Sequence, residues 1–306
     1  MDDVEENNLE MNDLEVYSVN ISNSNKEVIF GGGSDNVSVI CVESNEEIFT
    51  DTYNESIFYA NFTADGIIVI VYDGTVVFYD INYHKCKEHF FNEEVSVVKE
   101  YKGRYFIGFE SGRLIILERY EIIYDYTLFS SGILDILIDE EMFYLLNNES
   151  LLIYSIDFIE IKRHKLKNGQ LFCMMNKLIC VIEESILSFY TIHKKIHEIQ
   201  IQEVECMLTM NNYIVLGGNF NYLMLIDCNY QIKKINLPIE GSTRIKFSNN
   251  LLFISSSDDK FCYGDFNKFK VVESEVGVIF DYALSKEYYV LAGEKGISIE
   301  KIESFE

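Results

Sequence analysis

Histidine and cysteine most often supply nucleophiles, proton carriers and metal ligands, and this sequence spaces them poorly for any of these roles. His193 and His197 have a spacing that would share one face of a helix, but the local pattern is strand-turn-strand. Cys86 lies two residues after His84, with no second pair of ligands to complete a metal site. The seven cysteines form no C-x-x-C pair, so neither a zinc site nor a disulfide framework is predicted.

Glycines and paired acids offer two further chemical possibilities. The run Gly31-Gly32-Gly33 could cradle a phosphate, but it lacks the Lys-Ser/Thr of a P-loop and no helix follows, so it indicates a tight turn. Asp258-Asp259 and Glu183-Glu184 could act as paired carboxylates, but adjacent residues on a strand point to opposite sides. The sequence therefore predicts a binding protein and not an enzyme, with no catalytic residue, cofactor or metal.

The charge balance indicates what such a protein would bind. Fifty Asp and Glu against 25 Lys and Arg give a formal charge of −25. This field attracts basic proteins and repels nucleic acid and anionic membranes, so we expect a basic protein or peptide as partner and no direct contact with nucleic acid or membrane. The alternative is that the charge only keeps a β-rich protein soluble.

The sequence predicts neither a secretory signal nor a membrane-spanning segment. The acidic first fifteen residues do not resemble a secretory signal, and no apolar run is long enough to span a bilayer. We expect a monomer in the cytoplasm, with the nucleus as an open second location.

A unit of four short apolar runs recurs along the chain. In the first unit these runs lie at 16–21, 28–30, 37–42 and 47–50. Runs rich in Val, Ile, Tyr and Phe and broken by Gly, Asn and Asp indicate strands, and no helical periodicity is sustained. Four strands per repeat predict an all-β propeller of the WD-repeat type, with eight blades, or seven as the alternative. Later units, 35 to 41 residues apart, begin near Ile57, Val95, Ile133, Leu171, Cys206, Thr243 and Val278.

The even spacing leaves no linker, so residues 16–306 are predicted to form a single propeller domain. The last unit, 276–303, has only three runs, and a closed ring needs a fourth strand from elsewhere. The acidic segment 1–15 lies where that strand would come from, and we predict that it closes the last blade. Its apolar residues are sparse: Val4, Leu9, Met11 and Leu14.

Propeller geometry predicts that most of the acidic loop residues lie on one rim. Loops between the second and third strands share one rim with the connections between blades. This rim is strongly acidic, whereas the opposite rim mixes acids with bases, and a one-sided distribution favours a binding face over a solubility device. The bases predicted on the acidic rim are Arg113, Lys167, Lys260 and Lys295. The acids predicted there to bind the partner are Asp35, Glu55, Asp73, Glu93, Glu94, Glu110, Glu149, Glu183, Glu184, Glu205, Glu240, Asp258, Asp259, Glu275 and Glu294.

The opening and closing blades resemble a known family. Residues 16–35, continuing to Tyr79-Asp80, are similar to the opening blades of the WD-repeat family that contains the angio-associated migratory cell protein and a fungal ribosome-assembly chaperone (suppressor of QSR truncations). Residues 279–286 resemble the start of that family's last blade. The chain contains no Trp, and Tyr79-Asp80 stands where the WD signature has Trp-Asp, so this is a divergent member.

The resemblance implies an eight-bladed cytoplasmic propeller that serves as a dedicated chaperone. Its client would be the basic N-terminal segment of one large-subunit ribosomal protein, ribosomal protein ten of the universal L-sixteen family, held until it joins the pre-ribosome. Two alternatives stay open at this point. One is a scaffold propeller of a vesicle coat or nuclear pore, whose binding barely depends on salt, and the other is an acidic propeller that binds histones.

Overall fold

The computed structural model describes residues 15–303. Within this range the chain forms 31 β-strands in eight antiparallel sheets and no helix. The second and third strands of the four-stranded sheets are mostly apolar because neighbouring sheets cover both of their faces. The prediction of an eight-bladed all-β propeller is therefore confirmed, and the seven-bladed alternative is wrong.

The first four sheets, blades 1 to 4, each contain four strands in chain order. Blade 1 contains β1 (Val16–Ile21), β2 (Glu27–Gly32), β3 (Asn36–Cys41) and β4 (Glu47–Thr52). Blade 2 contains β5 (Ile57–Thr63), β6 (Gly66–Val71), β7 (Thr75–Asp80) and β8 (Lys85–Phe90). Blade 3 contains β9 (Val95–Tyr101), β10 (Arg104–Phe109), β11 (Arg113–Glu118) and β12 (Glu121–Thr127). Blade 4 contains β13 (Asp135–Ile138), β14 (Met142–Leu146), β15 (Ser150–Ser155) and β16 (Glu160–Lys165).

The remaining sheets follow the same order, except that the last has three strands. Blade 5 contains β17 (Gly169–Met175), β18 (Leu178–Glu183), β19 (Ile186–Tyr190) and β20 (Lys195–Gln200). Blade 6 contains β21 (Cys206–Met210), β22 (Tyr213–Gly217), β23 (Tyr222–Asp227) and β24 (Ile232–Asn236). Blade 7 contains β25 (Arg244–Ser248), β26 (Leu251–Ser255), β27 (Lys260–Gly264) and β28 (Phe269–Glu273). Blade 8 contains β29 (Ile279–Leu284), β30 (Tyr288–Gly293) and β31 (Gly296–Lys301).

Apolar clusters between adjacent blades hold the ring together. Between blades 3 and 4, the fully buried rings of Phe106 and Phe143 lie 5.5 Å apart between centroids. Burying such a side chain contributes about 1.5–3 kcal/mol. Blades 1 and 2 pack closely at Gly31, where a side chain would not fit, since a Cβ on Gly31 would lie 2.8 Å from the Cβ of Ile57. The first strand of each blade is innermost and the fourth is outermost, where its side chains are mostly exposed.

The ring closes where blade 8 meets blade 1. Val16 and Val28 of blade 1 share an apolar cluster with Tyr288 and Val290 of blade 8. Among residues 15–303, β31 has no strand paired with its outer edge. The segment predicted to supply that strand lies, apart from Glu15, outside the described residues, so the domain boundaries and this closure stay predictions.

Candidate protein-binding face

The acids predicted to bind a partner lie at one end of the blades. In an antiparallel blade the loop between the second and third strands lies at the same end as the connection to the next blade. We name the surface formed by these two sets of loops the acidic face. Its second-to-third-strand loops contain Asp35, Asp73, Glu110, Glu149, Glu184, Asp258, Asp259 and Glu294. Its connections between blades contain Glu55, Glu93, Glu94, Glu205, Glu240 and Glu275.

Most of these carboxylates are free to meet a ligand. Within residues 15–303, salt bridges engage only three of the predicted acids, namely Glu93, Glu183 and Asp258. Asp258 lies 2.7 Å from the Nζ atom of Lys260. Burial by itself raises the pKa of Asp258, but hydrogen bonds from Lys260 and Ser256 outweigh it and lower that pKa. The other predicted acids are charges without an internal counter-ion among the described residues.

Glu183 differs from the rest because the protein itself occupies its carboxylate. It is the last residue of β18, where the sequence predicted a loop, and it is only 6% exposed. The Tyr190 hydroxyl donates to its Oε1 at 2.6 Å, and the Lys195 Nζ lies 3.2 Å from the same oxygen. The backbone N–H of Lys167 donates to Oε2 at 2.9 Å. This carboxylate joins β18 to β20, whereas its exposed neighbour Glu184 has no such contacts.

A pocket of about 550 Å³ opens on the acidic face where blades 1, 2 and 3 meet. Carboxylates and two tyrosine rings form its wall, and no basic residue lines it. The connection after β4 and the loop after β6 bring these groups together from different blades. The pocket is lined by Tyr17, Glu55, Ser56, Tyr72, Asp73, Asn92, Glu93 and Glu94.

Aromatic residues at this pocket were missed by reasoning from the sequence. Tyr17, Phe58 and Phe280 are each the second residue of an innermost strand, and each sits at a β-bulge in the pairing with the second strand. A bulge redirects the side chain of the extra residue. Ring centroids lie 5.5 Å apart for Tyr17 and Phe280, 6.4 Å for Tyr17 and Tyr72, and 4.9 Å for Phe58 and Tyr72. The available signal was the recurrence of an aromatic residue at this position in blades 1, 2 and 8.

One of the four pocket carboxylates is neutralised and three are not. Glu93 pairs closely with the guanidinium of Arg113, which also binds both carboxylate oxygens of Asp125 at 2.7 and 2.8 Å. These hydrogen bonds, led by that of Asp125, raise the pKa of Arg113 and keep it charged. Glu55, Asp73 and Glu94 have no ion pair among residues 15–303, so the pocket keeps a net negative charge.

The two tyrosines of the pocket stay neutral. Tyr17 donates its hydroxyl proton to Glu15, and this hydrogen bond, followed by burial, raises its pKa to about 12. Burial also raises the pKa of Tyr72, with a contribution from the nearby charge of Glu94. Neutral aromatic rings beside carboxylates form a surface that suits an ammonium or guanidinium group, since both attract a cation.

The described residues contain neither a metal-binding cluster nor a membrane-spanning helix. Among residues 15–303, no group of three or more His, Cys, Asp or Glu side chains is arranged to hold a metal ion. Over the same range, no helix could cross a membrane.

The propeller and its repeats were compared with known proteins. A WD40-like domain model matches residues 14–300. The chain belongs to the WD40-like family. The sequence-based prediction of a divergent WD-repeat protein is thus confirmed. No curated protein matched the sequence of this WD40-like chain.

Solved structures match this WD40-like propeller over almost its whole length. Saccharomyces cerevisiae Sqt1 aligns with a TM-score of 0.82 at 13% identity, covering 96% of this chain and 97% of that one. Chaetomium thermophilum Sqt1 bound to the N-terminus of the ribosomal protein L10 aligns at 0.80 and 13% identity, covering 94% and 97%. The computationally designed protein Ika8 aligns at 0.79 and 11% identity, covering 95% and 97%. At these identities the likeness shows the fold alone.

Proposed function

We propose that this propeller is a non-catalytic chaperone that holds the basic N-terminal segment of a large-subunit ribosomal protein, L10 in the first instance, against its acidic face. The observation that carries this proposal is the one-sided charge of the loops. Within residues 15–303, the basic residues in the loops of the acidic face are Lys167 and Lys295. The loops of the opposite face contain Lys26, Lys102, Arg119, Lys177, Lys194, Lys268 and Lys286.

The structural likeness supports the same partner without deciding it. One of the matching Sqt1 structures holds the N-terminus of the ribosomal protein L10. However, the designed propeller Ika8 matches almost equally well, so the eight-bladed fold alone does not select a ligand. The choice of a basic partner therefore depends on the distribution of carboxylates in this chain.

Physical chemistry gives the expected strength and behaviour of the complex. Each exposed ion pair contributes about 0.2–1 kcal/mol and is screened by salt, so several must act together. The summed field of the face accelerates capture of a basic segment. The protein would act as a monomer in the cytoplasm, and a segment captured soon after synthesis would be kept from nucleic acid and other anions until it is delivered.

The test is a titration with a synthetic N-terminal peptide of ribosomal protein L10, at low and at high salt. The variant Glu55→Lys/Glu94→Lys changes two exposed carboxylates of the pocket. The matched control, Glu43→Lys/Glu140→Lys, makes the same change in net charge at exposed positions on the opposite face. We expect the pocket variant to weaken binding by roughly 100-fold and the control by only a few-fold.

Two other outcomes would point elsewhere. Displacement of the peptide by a histone tail at equal concentration would favour the acidic histone-binding propeller. Binding that is unchanged at high salt, or equal loss in both variants, would remove the acidic face from the mechanism and favour the scaffold propeller.

A further inference from the structure

The outermost strands of blades 4, 5 and 6 have a charge opposite to that of the whole protein. We name the surface formed by β16, β20 and β24 the basic wall. Its acidic residues are Glu160 and Glu198. Its basic residues are Lys162, Arg163, Lys165, Lys195, Lys233 and Lys234, all of them exposed.

Taken together, the outermost strands of the other four-stranded blades contain more acids than bases, although β8 alone has two lysines and one acid. Lysine on an edge strand often serves only to prevent aggregation through the free edge. In this protein β4 and β12 occupy the same edge position with acids and no lysine, so edge protection does not require the lysines of the basic wall. The bases of β4, β8, β12 and β28 are Lys85, Lys87 and Lys270, and their acids are Glu47, Asp51, Glu88, Glu121, Asp125 and Glu273.

Among residues 15–303, salt bridges engage two of the six bases of the basic wall and leave four without an acidic partner. Arg163 lies 3.5 Å from Glu160, and Lys195 is held between Glu183 and Glu198. By contrast, Lys162, Lys165 and Lys233 form no salt bridge within residues 15–303. The Nζ of Lys234 lies 3.9 Å from the centroid of the Tyr222 ring, which leaves its charge in place.

Exposed isoleucines are interleaved with these bases. Ile159 is 65% exposed, Ile161 45%, Ile196 41% and Ile232 46%. Single-stranded nucleic acid binds through its phosphates and by stacking its bases on aromatic side chains, whereas these exposed side chains are aliphatic. An extended peptide can cover them and can also hydrogen-bond to the free edge of an outer strand. The apolar residues therefore favour a protein over a nucleic acid as the anionic partner.

We propose that the basic wall binds an acidic protein segment that also carries apolar side chains, lying in extended form along the free edge of β16. β16 has the highest density of bases, and both Ile159 and Ile161 lie beside them. The carboxylates of the segment would contact Lys162 and Lys165, and its apolar side chains would cover the isoleucines. The site is built from outer strands and the acidic face from loops, so one propeller can hold a basic and an acidic partner on different surfaces.

The experiment uses the full chain and three fluorescent probes at low salt. The first is a ten-residue peptide of alternating glutamate and isoleucine, the second is polyglutamate of equal length, and the third is polyuridylate RNA. The variant Lys162→Glu/Lys165→Glu is compared with Lys85→Glu/Lys87→Glu, which makes the same change at the outer strand of blade 2. Circular dichroism of each variant shows whether it is folded.

We expect the mixed peptide to bind more tightly than polyglutamate and RNA, and to lose about tenfold in affinity in the β16 variant but not in the β8 variant. Equal loss in both variants, or no binding of the mixed peptide, would overturn the proposal. Tighter binding of RNA would overturn the choice of a protein partner. The same β16 variant should bind the basic L10 peptide normally, so failure here is distinguishable from failure of the chaperone proposal.

Discussion

The acidic face and the basic wall are parts of one ring, yet they are made from different elements. The acidic face consists of loops, in which side chains are free of the alternation that a strand imposes. The basic wall consists of outer strands, in which exposed isoleucines lie next to groups of bases along a free edge. The formal charge of −25 describes neither surface. Away from their junction, charges of the two surfaces that lie more than a Debye length apart, about 8 Å at physiological salt, are largely screened from each other.

The two surfaces meet at one ion pair. Glu183 belongs to the rim of the acidic face and Lys195 to the basic wall, and their charged groups lie 3.2 Å apart. Elsewhere the acids of the face and the bases of the wall are mostly unpaired, which leaves them for partners. Substitutions in the core that both surfaces share, at the junction between them, and in the acidic face alone should therefore have different effects.

The largest effect should come from the core that both surfaces share. Phe143→Ala removes a fully buried ring between blades 3 and 4, and a cavity of this size costs about 3–5 kcal/mol of unfolding free energy. Urea denaturation followed by circular dichroism measures this loss. The exposed Tyr126→Ala in β12 is the control and should stay within about 0.5 kcal/mol of the wild type. If Phe143→Ala abolished only one of the two binding activities, the surfaces would not depend on one cooperative ring.

An intermediate loss of unfolding free energy is expected at the junction between the two surfaces, the ion pair of Glu183 and Lys195. Burial alone raises the pKa of Glu183, but hydrogen bonds from Tyr190, Lys167 and Lys195 outweigh it and lower that pKa below the unfolded value of about 4.3. Stabilisation by this carboxylate is therefore complete above about pH 4.3 and is lost as the pH falls through the folded-state pKa. Glu183→Gln should cost roughly 1.5–3 kcal/mol at pH 7, and less at low pH, where the wild-type group is protonated as well.

The exposed neighbour provides the control for the junction. Glu184→Gln changes the same charge one residue away, outside the hydrogen-bond network, and should leave the free energy of unfolding nearly unchanged at every pH. Denaturation curves at several pH values measure both variants. A loss for Glu183→Gln that persists undiminished at a pH below the folded-state pKa of Glu183 would mean that packing, and not the ionised carboxylate, is responsible.

The smallest effect should be confined to the acidic face. Tyr72→Ala removes one aromatic wall of the pocket and its contact with Phe58. A cation–π contact contributes about 0.5–2 kcal/mol, so binding of the basic peptide should weaken by roughly 2- to 30-fold. Calorimetric titration measures this change, with Tyr213→Ala, at the opposite end of blade 6, as control. Equal weakening of the acidic peptide at the basic wall would show a general loss of structure.

The fold was predictable because its signals are local. Units were predicted to begin at Ile57, Val95 and Cys206, and β5, β9 and β21 begin at these residues. The starts of blades 4 and 5 were off by two residues each, because Ile133 lies in a connection and β17 already begins at Gly169. The acids of the acidic face were predictable for the same reason, because antiparallel strands alternate in direction and this fixes the end of the blade at which each loop lies.

The contacts within the site were less predictable. The sequence pattern places Glu183 in a loop. Its contacts with Tyr190 and Lys195, which the pattern does not predict, make it a buried structural group. The position of the two pocket tyrosines depends on bulges at Tyr17 and at Phe58, which packs against Tyr72, and the apolar pattern does not encode these bulges. The basic wall was visible as the run of bases from Lys162 to Lys167, but it was not separated from the total charge of the chain.

The sequence by itself determined the repeat, the strand order and the end of the blade to which each loop belongs, because these follow from the local alternation of apolar runs and turns. The tertiary structure decided which charges are used internally and which face solvent. That distinction depends on contacts between strands and blades that lie far apart in the chain, such as the one between Arg113 and Glu93, and local pattern contains no information about them.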